Sequence, residues 1–462
     1  MGELPAGSAA GLPDGLPDGL MELVPAHLEA QRWYAGHSGP ALEKVDLEWA
    51  GRLWGDDEGL RALWHAIAVA GDDRYQLVIG ERPAGERADF LHGREEAMLG
   101  AIEQSYFYDA TLDSDLAKVL LEIASGGSQE AAFARPISAE QSNTSLVYDD
   151  KIILKLFRKL HPGRNPDVEV TAVLAEAGFD HVAAPLVIWR DHGYDLAFGQ
   201  EFLAGGTDGW ALALTSLRDL YNSAILGPAD AGGDFAAEAA RLGRMTAEMH
   251  RALVEGFGFA TTEESQALWR SLVDTLPGRL RSASEAADRD LLAAAEPLLG
   301  RLAQLKDPGR FVRVHGDYHL GQVMRTDTGW YVLDFEGEPG RDLSARVGYA
   351  SPAKDITGML RSFHYATRHA LAERAQTEVE SLDGLALAWD AHNRQAFLDG
   401  YRDTKGVEAL MPPPESSAAV LLAYELDKAL YELDYERAHR PDWVSIPLDA
   451  LDRLLHEGDD VG

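Results

Sequence analysis

The sequence predicts an α+β fold of two lobes, in which sheets with a few helices come first and a mainly helical half follows. Before residue 204, short apolar runs bounded by Gly, Pro, Asn and Asp indicate β-strands. After residue 209, apolar residues recur at helical spacing, as between Phe235 and Leu253. A chain of 462 residues, 46% of them hydrophobic, is long enough for two or three domains with sizeable cores.

Composition and element pattern together give the expected domain boundaries. Residues 1–20 are rich in Gly, Pro, Ala and Asp and contain Leu-Pro-Asp-Gly twice, which is typical of a disordered tail. We expect a cap subdomain at 21–130, then an N-lobe, or intermediate subdomain, at 131–204. A helical C-lobe is expected at 205–457.

Each expected element has a local signal. An amphipathic pattern predicts a helix over 22–35 that ends at Gly36, and Asn165-Pro166-Asp167 predicts the start of a helix that runs to about Ala177. Apolar runs predict strands at 45–54, 63–70, 75–80, 184–189 and 196–202, and a strand, polar loop, strand, turn and strand over 135–157. Helices are expected at 95–103, 116–126, 235–253 and 419–437, with a hairpin at 311–336.

Charge and cysteine content exclude several classes of function. The net charge of −34 argues against nucleic acid as a partner and against anionic membranes, because both bind through clustered Lys and Arg. Without cysteine, the chain has neither a disulfide framework nor a thiolate metal site. No signal peptide and no long apolar run is evident, so we expect a cytoplasmic protein.

Three polar side chains around the expected hairpin carry the strongest functional signal. Asp317 lies in Val314-His315-Gly316-Asp317, Gln322 follows five residues later, and Asp334 ends an apolar strand twelve residues further on. Phosphoryl transfer needs this order: a carboxylate that accepts the proton of the attacking hydroxyl, then an amide oxygen and a second carboxylate that hold Mg²⁺ against the nucleotide phosphates. We therefore expect Asp317 to be the base.

A zinc pair is the alternative interpretation of His315 and His319, which are four residues apart. No Glu lies between them as in an H-E-x-x-H motif, and Gly316 disfavours a helix there. The phosphoryl-transfer interpretation is therefore preferred.

The expected N-lobe offers a lysine for a nucleotide. Lys155 alternates out of the apolar strand Ile152-Ile153-Leu154-Lys155 and can reach the α- and β-phosphates, although a lone strand lysine is more often simply exposed. Glu169, fourteen residues later on the expected helix, is the expected ion-pair partner of Lys155, with Glu176 as the alternative.

A polar loop and a strand end complete the expected nucleotide site. The loop stands where kinases have a glycine-rich loop, and its hydroxyl and backbone N–H groups can contact phosphates. The strand end stands where a hinge offers backbone groups to adenine. The loop residues are Gln141, Ser142, Asn143, Thr144 and Ser145, and the hinge residues are Gln200, Glu201 and Phe202.

Taken together, the motifs resemble those of the actinobacterial maltokinases, relatives of the aminoglycoside phosphotransferases and eukaryotic-like kinases, including related glucosamine kinases. The resemblance spans residues 25–455 in order and is more specific than any single motif. The matching segments are 31–36, 140–145, 165–167, 233–235, 313–317, 319–323, 334–339, 424–429, 439–441 and 443–447.

The resemblance implies a kinase-like fold of two lobes with an N-terminal cap. It also implies transfer of the ATP γ-phosphate to the anomeric hydroxyl of maltose, giving maltose 1-phosphate for α-glucan synthesis. By this resemblance Asp317 is the base, Gln322 and Asp334 are Mg²⁺ ligands, Lys155 contacts phosphates, and Glu336 adds to the metal site. The substrate is then a small sugar, and a trehalose or α-glucan enzyme is an expected partner.

The sugar site is expected under the C-terminal helices. A sugar needs polar groups for its hydroxyls and an aromatic ring for its apolar face. Because Tyr424, Tyr431 and Tyr435 share one helix face, ordinary core packing is an equally good interpretation of them. The candidates are His315, Asp317, His319, Tyr424, Glu425, Asp427, Lys428, Tyr431, Asp434, Tyr435, His439 and Trp443.

The acceptor is the least determined feature. Maltokinases tend to carry an Arg-Arg-containing stretch before a Ser-Pro and an Arg-Asp, whereas this chain has Lys354-Asp355. Asp434 adds a carboxylate near the sugar helix, and such carboxylates would suit the ammonium group of glucosamine. Maltose is the expected acceptor, with glucosamine as the alternative. A pseudokinase without turnover is the third interpretation, but no residue of the expected machinery is lost.

Overall fold

The computed structural model describes residues 15–460 except 39–40, 43, 87, 138–142, 224–226, 288–289 and 339–340. The chain divides into two compact units. The first comprises the chain up to Val168 together with Ala183–Ala204, and the second comprises Glu169–Val182 and the chain from Gly205 onward. Most of the expected disordered tail lies outside the described residues, and the expected boundary between cap and N-lobe stays a prediction.

The first unit contains two antiparallel sheets. One contains, in spatial order, Asp46–Gly55, Ala62–Ala70, Asp73–Pro83, Ser105–Asp109 and Met98–Ile102, and Lys159–Leu160 also pairs with the third strand in the chain. The other contains Pro185–Asp191, Tyr194–Glu201, Ile152–Phe157, Asn143–Tyr148 and Ala134–Ile137. The strands predicted from apolar runs are thus confirmed, with shifts of a few residues at their ends.

Two helices of the cap match the sequence prediction, and a third predicted helix is wrong. Leu20–Ala30 and Ser114–Ala124 are helical, and Asp113 caps the second by accepting the Asp115 N–H. The segment predicted as a helix at 95–103 is a short 3₁₀ turn followed by the strand Met98–Ile102. Pairing with a neighbouring strand outweighs the weak local preference for helix.

The second unit is mainly helical. Its helices are the part of Pro166–Glu176 that follows Val168, Gly209–Ser223, Ala236–Phe257, Thr262–Ala287, Leu291–Gln304, Leu343–Arg346, Ala353–Ala372, Gln376–Arg402, Pro414–His439 and Ser445–Asp460. The predicted hairpin is formed by Val323–Arg325 and Trp330–Val332. Two further short pairings, Thr207–Asp208 with Val323–Arg325 and Val312–Arg313 with Tyr349–Ala350, had no clear sequence signal.

An aromatic core supports the helices that carry the candidate site. Phe235 stacks on Trp389 with ring centroids 5.8 Å apart, and Phe363 packs edge-on against both. Helix Ala353–Ala372, which we call the Ala353 helix, is buried over most of its length. Its first turn is therefore a rigid support for the loop at His315 and Gly316, which it contacts. In the described part of the chain, no helix is both long and apolar enough to span a bilayer.

Candidate active site

The loop that carries Asp317 is held by a buried carboxylate of the Ala353 helix. The two Asp355 oxygens accept backbone hydrogen bonds, one from the His315 N–H at 2.8 Å and one from the Gly316 N–H at 2.9 Å. Gly316 has φ +89°, a conformation that residues with a Cβ rarely adopt. The backbone that leads into Asp317 is therefore fixed in one conformation.

Asp355 is itself held in its ionised form. Oδ2, the oxygen that accepts the His315 N–H, lies 3.0 Å from His250 Nε2, and the other ring nitrogen of His250 lies 2.9 Å from the Tyr401 hydroxyl. Burial alone would raise the pKa of Asp355, but the His250 ring and the Gly316 N–H outweigh burial and lower the pKa below its ordinary value. An ionised acceptor binds the loop N–H groups more strongly than a neutral one.

Asp317 is only partly buried, and its two oxygens have different neighbours. Oδ1 accepts a hydrogen bond from Lys428 Nζ at 3.2 Å, and Oδ2 lies 3.9 Å from His319 Nε2. The Asp317 side chain is 19% exposed. A partly exposed carboxylate that is held through one oxygen by an ammonium group is suited to accept a proton from a bound hydroxyl.

Gln322, Asp334 and Glu336 lie at the base of the hairpin. The backbone N–H of Leu333 donates to the Gln322 carbonyl at 2.9 Å, which fixes the two strands at that level. Gln322 Nε2 lies 3.3 Å from Asp334 Oδ2. Asp334 has φ +60°, a backbone conformation that non-glycine residues adopt uncommonly. The three side chains together offer amide and carboxylate oxygens, the ligands that Mg²⁺ prefers.

The two histidines of the motif make contacts with the protein. His315 is buried, its Nε2 donates to the Leu333 carbonyl at 2.9 Å, and its ring packs against Phe335 with centroids 4.8 Å apart. His319 Nδ1 accepts the Gly321 N–H at 3.0 Å and caps the 3₁₀ turn Leu320–Gln322. Neither lies on a helix face, as a zinc pair of this spacing would require. Their assignment to the sugar site stays a prediction.

One face of helix Pro414–His439, which we call the Pro414 helix, meets the loop that carries Asp317. Besides Asp317, Lys428 Nζ binds Glu338, with 2.8 Å to Oε1. Tyr431 lies beside Lys428, whose Nζ is 4.9 Å from the ring centroid. Asp427, one residue before Lys428, forms ion pairs with Arg279 and Arg341.

The remaining candidates on this helix differ in their burial and in their contacts. Glu425 points into the protein, where Arg394 binds both of its oxygens at 2.8 and 2.9 Å. Asp434 is exposed. Tyr424 is buried and its hydroxyl accepts the Ser351 N–H at 3.3 Å, which is a packing role. Tyr435 is 40% exposed and stacks on His439.

Trp443 lies beyond the end of the Pro414 helix, next to other aromatic rings. Its ring stacks on Tyr365 at 6.4 Å between centroids and lies 5.1 Å from His369. The Arg440 guanidinium lies 4.7 Å from the same ring. Tyr431 is thus the aromatic candidate beside Lys428, and the role predicted for Trp443 remains to be tested.

In the first unit, Lys155 forms an ion pair with a residue other than the predicted one. Lys155 Nζ lies 3.0 Å from Asp167 Oδ2, and both side chains are largely buried. Glu169 is instead placed 3.9 Å from the Arg313 guanidinium, and Glu176 is exposed. The prediction of Glu169 as partner is therefore corrected to Asp167. Asp167 is in the first turn of its helix, where Asn165 Oδ1 accepts its N–H at 2.8 Å.

The phosphate loop and the hinge can be followed only in part. Gln141 and Ser142 lie outside the described residues. Asn143, Thr144 and Ser145 begin a strand. Ser145 is directly opposite Lys155 on the neighbouring strand, so the side chains of Ser145 and Lys155 share a face of the sheet. At the hinge, Gln200 Nε2 donates to the Ala183 carbonyl at 3.3 Å, Glu201 N–H to the Ala184 carbonyl at 2.9 Å, and Phe202 N–H to the Lys151 carbonyl at 2.7 Å.

Sequence reasoning missed four residues of the site. Asp167 enters the sequence prediction only as part of a helix start, and Asp355 only in the pair Lys354-Asp355, which is compared with the Arg-Asp of maltokinases. Glu338 and Arg341 have no assigned role in the sequence prediction, although Glu338 is buried and binds Lys428. The burial of a carboxylate and the ion pair of an arginine are known only from the structure, so these four residues could not be found from residue type and spacing.

Two family models match the chain. The model described as the phosphotransferase enzyme family matches residues 134–387, and the maltokinase N-terminal cap domain matches residues 27–113. Among curated proteins, a glucosamine kinase of Mycolicibacterium smegmatis is 28% identical over 348 residues, which are 73% of this chain and 83% of the relative. A glucosamine kinase of Streptacidiphilus jiangxiensis is 27% identical over 334 residues, which are 70% of this chain and 74% of the relative.

Solved structures share the fold. A glucosamine kinase in complex with glucosamine, ADP and inorganic phosphate superimposes with a TM-score of 0.65 at 22% identity, covering 95% of this chain and 99% of the other. Crystal form B of a glucosamine kinase gives a TM-score of 0.63 at 24% identity, covering 90% and 95%. The predicted α+β kinase-like fold with an N-terminal cap and a helical C-lobe is thereby confirmed.

Proposed function

Because this chain belongs to the phosphotransferase enzyme family, we propose that it is an ATP- and Mg²⁺-dependent sugar kinase that phosphorylates maltose at the anomeric hydroxyl. The observation that carries the proposal is the Asp317 carboxylate, partly exposed on a loop whose backbone Asp355 fixes. A fixed carboxylate in the same unit as an amide and two further carboxylates is the constellation that phosphoryl transfer requires.

Asp317 performs the proton transfer in this proposal. The acceptor hydroxyl donates a hydrogen bond to Oδ2, because Oδ1 already accepts from Lys428. As the hydroxyl oxygen forms its bond to the γ-phosphorus, its proton passes to Asp317. The bond between that phosphorus and the bridging oxygen breaks, and ADP leaves with the electron pair. A positioned base of this kind contributes roughly 10²–10⁴-fold to the rate.

The residues at the base of the hairpin fit a magnesium site. Gln322, Asp334 and Glu336 supply hard oxygen donors, and the hairpin backbone holds Gln322 beside Asp334. Mg²⁺ bound there would offset the negative charge of the β- and γ-phosphates. Lys155, whose ammonium is held by Asp167, is the proposed contact for the α- and β-phosphates.

Two observations favour maltose as the acceptor. The cap matches the maltokinase N-terminal cap domain. In addition, the acidic residues that could bind an ammonium group are not well placed to do so, since Glu425 is bound by Arg394 and Asp434 is exposed to solvent. Glucosamine is the second candidate, because the curated relatives reported above are glucosamine kinases.

A coupled assay of ADP release tests the proposal. Maltose, glucose, glucosamine and a reaction without sugar are compared for the wild-type protein and for Asp317→Asn. We expect sugar-dependent ADP release, highest kcat/KM with maltose, and loss of that release in the variant. A tenfold or greater preference for glucosamine would replace maltose with the second candidate. Absence of sugar-dependent release with every sugar would overturn the kinase assignment.

A further inference from the structure

The side chain of Lys428 connects the candidate base to a second, buried carboxylate. Its Nζ lies 3.2 Å from Asp317 Oδ1 and 2.8 Å from Glu338 Oε1. The side chains of Lys428 and Asp317 are 17% and 19% exposed, and that of Glu338 is 2% exposed. A lysine ammonium has three N–H donors, so two are used by these carboxylates and one is left for an acceptor oxygen.

The charges around this ammonium group are arranged in pairs. Glu338 also binds Arg341, and Asp427 binds both Arg341 and Arg279. These carboxylates are therefore ionised and already neutralised by protein cations.

Lys428 also keeps its charge, because two carboxylates bind its ammonium group. Burial opposes the charged form, but the Asp317 and Glu338 carboxylates raise the pKa of Lys428 above its ordinary value. In a region largely shielded from water, a fixed positive charge repels a second one much more strongly than it would in bulk solvent. An acceptor that reaches Asp317 must therefore come close to a permanent cation.

We infer that Lys428 determines acceptor specificity, an inference that rests on the proposed function. The Lys428 ammonium group positions Asp317, and it selects uncharged sugars over sugars that carry an ammonium group. The amino group of a 2-amino-2-deoxy sugar is on the carbon next to the anomeric carbon. When the anomeric hydroxyl reaches Asp317, that amino group has to compete with Lys428 for the Asp317 carboxylate. Glu338 and Asp427 are already bound by Lys428, Arg341 and Arg279, so they provide little compensation for a further positive charge.

The test compares an acceptor with its 2-amino-2-deoxy counterpart, maltose with 2-amino-2-deoxymaltose and glucose with glucosamine. We define the discrimination as kcat/KM for the uncharged sugar divided by kcat/KM for its amino counterpart. Where one sugar is not turned over, the ratio of the two competitive inhibition constants replaces it. Lys428→Met removes the charge at similar size, and Lys428→Arg retains it. Lys306→Met is the matched control, because the Lys306 side chain is exposed to solvent.

We expect the wild type to favour the uncharged sugar at least tenfold. In Lys428→Met the discrimination falls at least tenfold, and kcat for the uncharged sugar falls at least tenfold with KM for ATP unchanged, since Asp317 loses its partner. Lys428→Arg and Lys306→Met keep the wild-type discrimination. A folded Lys428→Met protein whose discrimination stays within threefold of wild type would overturn the inference.

A measurement on the wild type covers the case in which Lys428→Met does not fold. Raising the pH until the amino sugar loses its proton must increase its kcat/KM, relative to the uncharged sugar, at least tenfold. A flat ratio across that titration contradicts the inference. Neither result bears on the kinase assignment itself, which fails only if no sugar stimulates ADP release.

Discussion

The Asp355 carboxylate accepts the backbone N–H of Gly316 at 2.9 Å and thereby ties the buried Ala353 helix to the loop that carries Asp317. The position of the candidate base is thus set by the core of the second unit, through a residue that has no contact with substrate in the proposed mechanism. This relationship leads directly to the first prediction.

Asp355→Asn should lower kcat with little change in KM for ATP. The amide can accept only at one atom, so one of the two loop N–H groups loses its acceptor and the base is no longer held. A displacement of about 1 Å at a reacting group costs on the order of 10²-fold in rate. Steady-state kinetics measure the effect. Asp390→Asn, at another buried aspartate on helix Gln376–Arg402, is the control and should retain most of the activity.

Asp334→Ala should abolish magnesium-dependent nucleotide binding, whereas Gln322→Ala should weaken it only moderately. The carboxylate supplies negative charge to a hard cation, and the amide supplies an oxygen without charge. Titration calorimetry with ATP, with and without Mg²⁺, measures both effects. An Asp334→Ala protein with wild-type affinity for Mg²⁺·ATP would exclude Asp334 from the metal site.

Asp167→Asn should raise KM for ATP more than Glu169→Gln does. Asp167 is the residue that binds the Lys155 ammonium, and removing one partner of a largely buried pair costs roughly 3–5 kcal/mol of interaction. Glu169, which faces Arg313, is 39% exposed. Kinetics at varied ATP concentration compare the two variants directly. Equal effects, or a larger effect of Glu169→Gln, would restore the partner predicted from spacing.

The first unit should lose stability between pH 6.5 and pH 5. His65 is 1% exposed between Trp49 and Trp189, and burial, with a smaller contribution from His192, lowers its pKa from 6.5 to about 3. Below pH 6.5 the unfolded chain therefore binds a proton at this residue that the folded chain does not, and stability falls as the pH falls toward 3. A pH change from 6.5 to 5 corresponds to about 2 kcal/mol at this site.

Urea denaturation at pH 7 and pH 5 tests this prediction. His65→Phe keeps an aromatic ring between the two tryptophans and removes the titrating group, so its stability should depend less on pH than that of the wild type. His456→Gln, at an exposed position, is the control and should behave as the wild type. An unchanged pH dependence in His65→Phe would show that His65 does not contribute.

The sequence predicted the elements well where one local signal dominates. Apolar alternation gave the strands around 62–83, and Asn165-Pro166-Asp167 gave the start of a helix that is observed at Pro166–Glu176. The prediction failed at 95–103, where the segment pairs with the next strand, Ser105–Asp109, in a hairpin. The helical pattern was read within 95–103 alone, and this pattern does not include the hairpin partner.

The candidate site was predicted to a similar extent. Gln322 and Asp334 flank the hairpin, and Asp317 precedes it by a few residues. Their spacing along the chain is therefore set by the length of the hairpin, and the sequence alone reveals the motif. The ion pairs were not visible, because Lys155 with Asp167 and Lys428 with Glu338 depend on which side chains burial brings together. Acidic residues near the sugar helix were therefore expected to bind an ammonium group, whereas most of them bind arginine or lysine of the protein.

Phosphorus NMR of the reaction with maltose and ATP tests the central claim most directly. If Asp317 deprotonates the anomeric hydroxyl, the product is a sugar phosphate whose phosphorus couples to the anomeric proton, and Asp317→Asn forms it roughly 10²–10⁴-fold more slowly. A phosphorus signal coupled to another sugar proton, or a sugar phosphate formed at the wild-type rate by Asp317→Asn, would contradict the account.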